Sequence, residues 1–166
     1  MPKCIMLVGL PGVGKSTWID KNIDTNVSLA SSDWHIEKVA EILGATYSEV
    51  FDGVIKFADR AFYNSLATYA FNSMDIVVDR TNLTRNSRAK VMNAIKKNAK
   101  EQYSFVSYTF VTPDDMEHMN RLAKRHGKYI PDEVMAAMKK SHEKAELKEG
   151  FDLMYDVYPN GDVVRT

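Results

Sequence analysis

Residues 9–16 read Gly-Leu-Pro-Gly-Val-Gly-Lys-Ser, a full match to G-x-x-x-x-G-K-[ST], and no other feature of the chain restricts its fold as strongly. The short apolar run Cys4–Val8 precedes this loop, and a helical pattern over Ser16–Asn22 follows it. Glycines there let successive backbone N–H groups curl around phosphate oxygens where a Cβ would clash. The N-terminus of the following helix adds a favourable dipole. Gly9, Pro11, Gly12, Val13 and Gly14 therefore form a phosphate cradle, with Thr17 packing or capping the first helical turn behind it. Lys15 neutralises phosphate charge and the Ser16 hydroxyl supplies a Mg²⁺ ligand, so ATP with Mg²⁺ is the expected ligand pair. The motif names a nucleotide and leaves the reaction open.

Strand, loop and helix in that order make a βα unit, and the rest of the chain repeats the pattern. Further strands are expected over Val27–Ala30, Ile76–Val78 and Phe105–Val111. Helices are expected over Trp34–Leu43 (closed by Gly44), Ser48–Asn72, Arg85–Lys100, Pro113–Ala123, and from Pro131-Asp132 to about Glu149. Pro159-Asn160-Gly161-Asp162 predicts a hairpin turn between two short strands in the tail. The implied class is α/β, with a parallel sheet flanked by helices. At 166 residues the chain suits one domain, 1–166.

Composition removes several alternatives. With 22 Lys+Arg against 22 Asp+Glu the net charge is zero, which argues against binding polyanions over the whole surface. The single cysteine, Cys4, excludes a disulfide framework or a multi-cysteine zinc site and fits a reducing compartment. Ile5–Val8 is too short to span a bilayer or serve as a signal sequence, so a cytoplasmic, soluble protein without membrane contact is expected.

Two acids follow strands. Asp33, after Ser31-Ser32, stands where ligands gather in open α/β sheets, at the carboxyl ends of strands. It reads either as a general base for an acceptor hydroxyl or as an N-cap for the helix beginning at Trp34. Asp79 ends the Ile76–Val78 strand and reads either as a carboxylate reaching Mg²⁺ or as a turn residue.

Basic residues fall in two groups. Arg80, Arg85, Arg88, Lys90, Lys96, Lys97 and Lys100 lie together with no acid among them. They form either a polyanion patch or a solvated helix face. Near the expected site, His35, Arg80, Thr81, Asn82, Arg85 and Arg88 are the candidates for holding an acceptor. The second group, Arg121, Lys124, Arg125, His126 and Lys128, precedes Pro131. Arg121 and Arg125, four apart, share one helix face ahead of Gly127, where a helix would break, and they could close as a lid of about residues 121–131 over transferring phosphates. The competing reading is a basic helix end interacting with its own dipole.

Taken together, GLPGVGKSTW, the strand leading to SSD, VVDRTNLT and RLAKRHGKYIP resemble the kinase domain of phage-type polynucleotide 5′-hydroxyl kinases, within the AAA_33 branch of P-loop kinases. The resemblance covers roughly residues 3 to 145. It implies an adenylate-kinase-like fold with a helical lid, and transfer of the ATP γ-phosphate to a polynucleotide 5′-hydroxyl with Mg²⁺. By position it makes Lys15 and Ser16 the phosphate-loop pair, Asp33 the acceptor-activating aspartate, Arg125 the lid arginine and Asp79 the first acid of the third motif. Two departures stand out. The position three residues after the aspartate, an arginine gripping the acceptor phosphate in that family, is Ile36 here. The phosphatase domain that some relatives carry is not expected after the short tail.

The expected function is therefore an ATP-dependent phosphotransferase acting on a nucleic acid 5′ end or a nucleotide-like acceptor. The alternatives are a small-molecule kinase acting on a nucleoside, sugar or modified base, favoured by Ile36, and a nucleotide-binding ATPase module without an acceptor.

Overall fold

The computed structural model describes residues 1–166. Six strands form one sheet in the order β2-β3-β1-β4-β5-β6. β1 (Lys3–Val8), β2 (Ser28–Ser31), β3 (Ile76–Asp79), β4 (Ser104–Phe110) and β5 (Leu153–Val157) run parallel, and β6 (Val163–Arg165) closes the edge as an antiparallel hairpin. Central β1 is buried almost throughout, which is why it reads as an unbroken apolar run.

The helices are α1 (Lys15–Asn22), α2 (Ser32–Leu43), α3 (Tyr47–Phe71), α4 (Arg85–Asn98), α5 (Asp115–Ala123) and α6 (Asp132–Ser141). On one face of the sheet, Phe62, Leu66 and Ala70 of α3 and Val91, Met92 and Ile95 of α4 pack on Met6, Val8, Ile76 and Val78. On the other, Leu7, Val77, Phe110 and Val157 meet Trp18 and Ile19 of α1 and Met135 and Met138 of α6. Each fully buried Leu or Phe contributes on the order of 1.5–3 kcal/mol. The expected parallel α/β layering is what the chain adopts.

The helix after Pro131 was expected to reach about Glu149, but α6 ends at Ser141. Beyond it the Glu143 N–H donates to the Leu83 carbonyl and a single 3-10 turn covers Leu147–Glu149. Tertiary bonds replace helical ones there. No helix is long and apolar enough to cross a membrane.

Candidate active site

The phosphate loop connects β1 to α1 and is shaped by its glycines. Gly9, Gly12 and Gly14 have φ of +155°, +81° and +103°, backbone that a side chain would strain. Gly14 caps α1 without any side-chain hydrogen bond, so the first-turn N–H groups, including those of Ser16 and Thr17, stay uncapped and can serve an anion. Lys15 lies buried in this cradle, its Nζ donating to the carbonyls of Gly9 (2.9 Å) and Leu10 (2.8 Å). Burial pushes the Lys15 ammonium down to about 8, with Asp79 opposing the shift and Arg125 adding to it. An ammonium held on carbonyls at that cost is poised to exchange them for phosphate oxygens.

Parallel pairing of β2 with β3 sets Ser31 beside Asp79, bringing both strand ends to one place. Asp79 is largely buried; burial raises its carboxyl above the usual range while Lys15 pulls it back. The N-cap of α2 is Ser31, whose Oγ accepts the Trp34 N–H at 3.3 Å. Asp33 sits in the first turn with its carboxylate turned to other partners. Tyr47 Oη donates to its Oδ1 at 2.8 Å, and Lys128 Nζ lies 3.5 Å from its Oδ2.

Helix α5 and the segment expected as a lid rest directly on the loop. His118 is buried with Nε2 2.8 Å from the Pro11 carbonyl oxygen. A Cβ on Gly12 would stand 2.8 Å from the Leu122 side chain of α5, which would have to shift, and the φ of +81° there favours glycine in any case. Arg121 pairs with Glu117 and points Nη1 at the Val13 carbonyl, 3.4 Å away. Because α5 ends at Ala123, Arg121 and Arg125 do not share a helix face as expected; Arg125 lies past the cap residue Lys124. Its Nη1 is buried without a partner, close enough to lower Lys15 electrostatically. An orphaned guanidinium nitrogen beside an ammonium fits a multiply charged phosphate between them. The Ser16 hydroxyl and the Asp79 carboxylate are hard oxygen donors suited to Mg²⁺.

The expected acceptor residues separate sharply. Arg88 has no exposed surface: it pairs with Glu149 through Nε (2.7 Å) and Nη2 (2.8 Å) and donates Nη1 to the carbonyls of Asn82, Leu83 and Glu143. It therefore braces the interior and cannot touch an acceptor. Asn82 is corrected likewise: it is buried at φ +47°, its Nδ2 donating to the Leu7 carbonyl at 2.7 Å. Arg85 is held by Glu146 (2.8 Å) and Arg80 by Asp59 (2.9 Å), with Arg80 also 4.7 Å over the Phe62 ring. Thr81 accepts the Gly9 N–H on its carbonyl, and His35 packs edge-on between Trp34 and Phe57. Ile36 is fully buried. The expected basic patch at the start of α4 is thus interleaved with Glu143, Glu146 and Glu149 from the segment after α6.

Three residues at the centre carried no distinct signal in the sequence. Tyr47 and Glu37 stand in no motif, and Lys128 was one of five cationic residues in a run. The break at Gly127 was the only cue that Lys128 leaves the helix and turns inward.

Solved structures share this architecture at low sequence identity. A protein of the PezAT chromosomal toxin-antitoxin system of Streptococcus pneumoniae superposes with TM-score 0.71 and 16% identity, over 99% of this chain and 70% of its own. A sugar kinase from Janibacter sp. HTCC2649 gives 0.60 and 16%, over 98% and 88%. A chain of the Pnkp1/Rnl/Hen1 RNA repair complex gives 0.61 and 23%, over 84% of this chain but 43% of its own. No curated protein matches the sequence. The AAA_33 model, an AAA domain, matches residues 4–145, and the chain belongs to that family with the fold of a P-loop kinase.

Proposed function

We propose that this protein is an ATP- and Mg²⁺-dependent kinase that phosphorylates a hydroxyl presented to Asp33. The observation that carries the reading is the convergence of buried Lys15, Asp79, the orphaned Arg125 Nη1 and the Asp33 carboxylate at one end of the sheet. Lys15, the uncapped α1 amides, Arg121 and Arg125 hold the phosphates, and Ser16 with Asp79 holds the metal. Bound Mg²⁺ supplies neutralisation of phosphate charge. An Asp33 oxygen accepts the acceptor proton as the hydroxyl oxygen attacks phosphorus, and ADP leaves.

The acceptor best supported is compact, without a row of phosphates. Arg88 is sequestered, Ile36 replaces the expected grip, and Arg80 and Arg85 are matched by acids. A second reading, the polynucleotide 5′-hydroxyl, rests on the order of the four motifs. It has support from the partial exposure of the Arg80 and Arg85 ion pairs, since such pairs are worth about 0–1 kcal/mol and exchange partners readily.

Transfer of radiolabelled γ-phosphate from ATP to 5′-hydroxyl oligonucleotides, nucleosides and sugars, each at two salt concentrations, decides between them. Labelling of a nucleoside or sugar with little salt dependence supports the compact acceptor. Labelling confined to oligonucleotides, with a Michaelis constant rising steeply with salt, establishes the polynucleotide reading. No labelling of any acceptor by protein that binds ATP refutes both.

A further inference from the structure

The contacts around Asp33 do more than surround it. The turn between α2 and α3 is rigid for local reasons. Gly44 closes α2 in the left-handed region, and Thr46 with Glu49 forms a capping box at the start of α3. That turn fixes Tyr47 so that its hydroxyl reaches back to Asp33 Oδ1. The lid segment docks on the same turn: Ser48 donates its N–H to the Gly127 carbonyl (3.0 Å), and the Tyr129 N–H donates to Ser48 Oγ (2.9 Å). Gly127 lies at φ +70°, where an added Cβ would stand 3.1 Å from Thr46 Cβ. Once docked, the lid places Lys128 Nζ 4.5 Å over the Tyr47 ring, in contact with Glu37 and 3.5 Å from Asp33 Oδ2.

Asp33 and Glu37 stand one turn apart on the same face of α2, with Asp79 near. Like charges so placed repel, and a cation between them reduces the repulsion. Lys128 touches both Asp33 and Glu37 from the lid segment, while Lys15 acts on Asp33 and Asp79 from the phosphate loop. Arg121 and Arg125 belong to the same segment that covers the phosphate loop.

We infer that Tyr47 and Lys128 are positioning residues that orient the Asp33 carboxylate, and that docking of the lid over ATP and orientation of the base are one event. Tyr47 holds Oδ1, Lys128 steadies Oδ2, and the remaining lone pairs of Oδ2 face the acceptor. An open lid leaves Asp33 half-oriented beside Glu37, so transfer waits for closure. The inference rests on the reading of Asp33 as the base.

The test uses Tyr47→Phe, Lys128→Met, Lys128→Arg and the double variant Tyr47→Phe/Lys128→Met, with Asp33→Asn as a control. Hydrogen exchange of residues 124–131 is followed with and without a non-hydrolysable Mg·ATP analogue. Turnover is measured with the acceptor found in the labelling screen and as phosphate release with water as acceptor. Lys128→Met should raise exchange at Gly127–Tyr129, whereas Tyr47→Phe keeps the ring and should leave the lid docked. Each should lower kcat about tenfold or more, the scale of one lost hydrogen bond to a charged group; the ATP KM should stay within about twofold for Tyr47→Phe and rise for Lys128→Met, which loosens the segment carrying Arg121 and Arg125. Lys128→Arg should restore most of the rate. Because both act through one carboxylate, the double variant should be no slower than the slower single one. Wild-type kcat in both single variants, or losses that multiply in the double, overturns the inference. A wild-type rate in Asp33→Asn overturns the assignment of the base instead, and leaves the exchange result to speak for the docking contacts.

Discussion

Arg88→Met is the sharpest test of how the basic helix is used. Methionine matches the length of the aliphatic stem but carries no donor. The change removes both bonds to Glu149 and the Nη1 bonds to the Asn82, Leu83 and Glu143 carbonyls. Glu149 is 10% exposed and would be left as a buried carboxylate without its cation. Removing one partner of a buried pair costs about 3–5 kcal/mol. Against a total stability of about 5–15 kcal/mol that is a large fraction. At about 2–4 °C per kcal/mol for a chain of this size, Tm should fall by about 6–20 °C. The Arg88→Lys variant keeps the charge without the planar fork, and its Tm should fall less. Thermal melts followed by circular dichroism at pH 7 provide the reading. A Met variant that melts with the wild type, and shows only a raised acceptor KM, would refute the bracing role and return Arg88 to the acceptor.

Lys15→Ala should abolish transfer with native circular dichroism, one preorganised cation at a phosphoryl group being worth about 2.7–4 kcal/mol of barrier. Asp33→Asn should lower kcat about 10²–10⁴-fold while ATP affinity, measured by calorimetry, stays unchanged; an unaffected rate removes the general base. Because burial lowers Lys15 to about 8, the free protein loses this charge above that pH, and ATP binding must then take up a proton. Affinity should hold from pH 6 to 7.5 and fall by up to about tenfold per unit above pH 8, and a flat profile to pH 9.5 refutes the argument. The same lowered value makes the charged form costly in the folded state, so this group's penalty on stability is full below pH 8 and is relieved between about 8 and the ordinary lysine value near 10.4.

What short-range chemistry dictates was readable in the chain. The phosphate loop is encoded by spacing within Gly9–Ser16, and β1, α3 and the terminal hairpin by apolar period and turn residues. Asp33 left two readings open from sequence; the structure gives the cap to Ser31 and leaves the carboxylate for Tyr47 and Lys128. What lay beyond reach was partnership across the chain. Arg88 meets Glu149 over a separation of 61 residues, and Lys128 meets Asp33 over 95. A run of seven cations without an acid looks like a patch until the segment after α6 lays three glutamates beside it. Helix period and loop glycines act within a few residues, so sequence carries them; the pairing of a charge depends on which surfaces the packed elements bring together, and only the tertiary structure decides that.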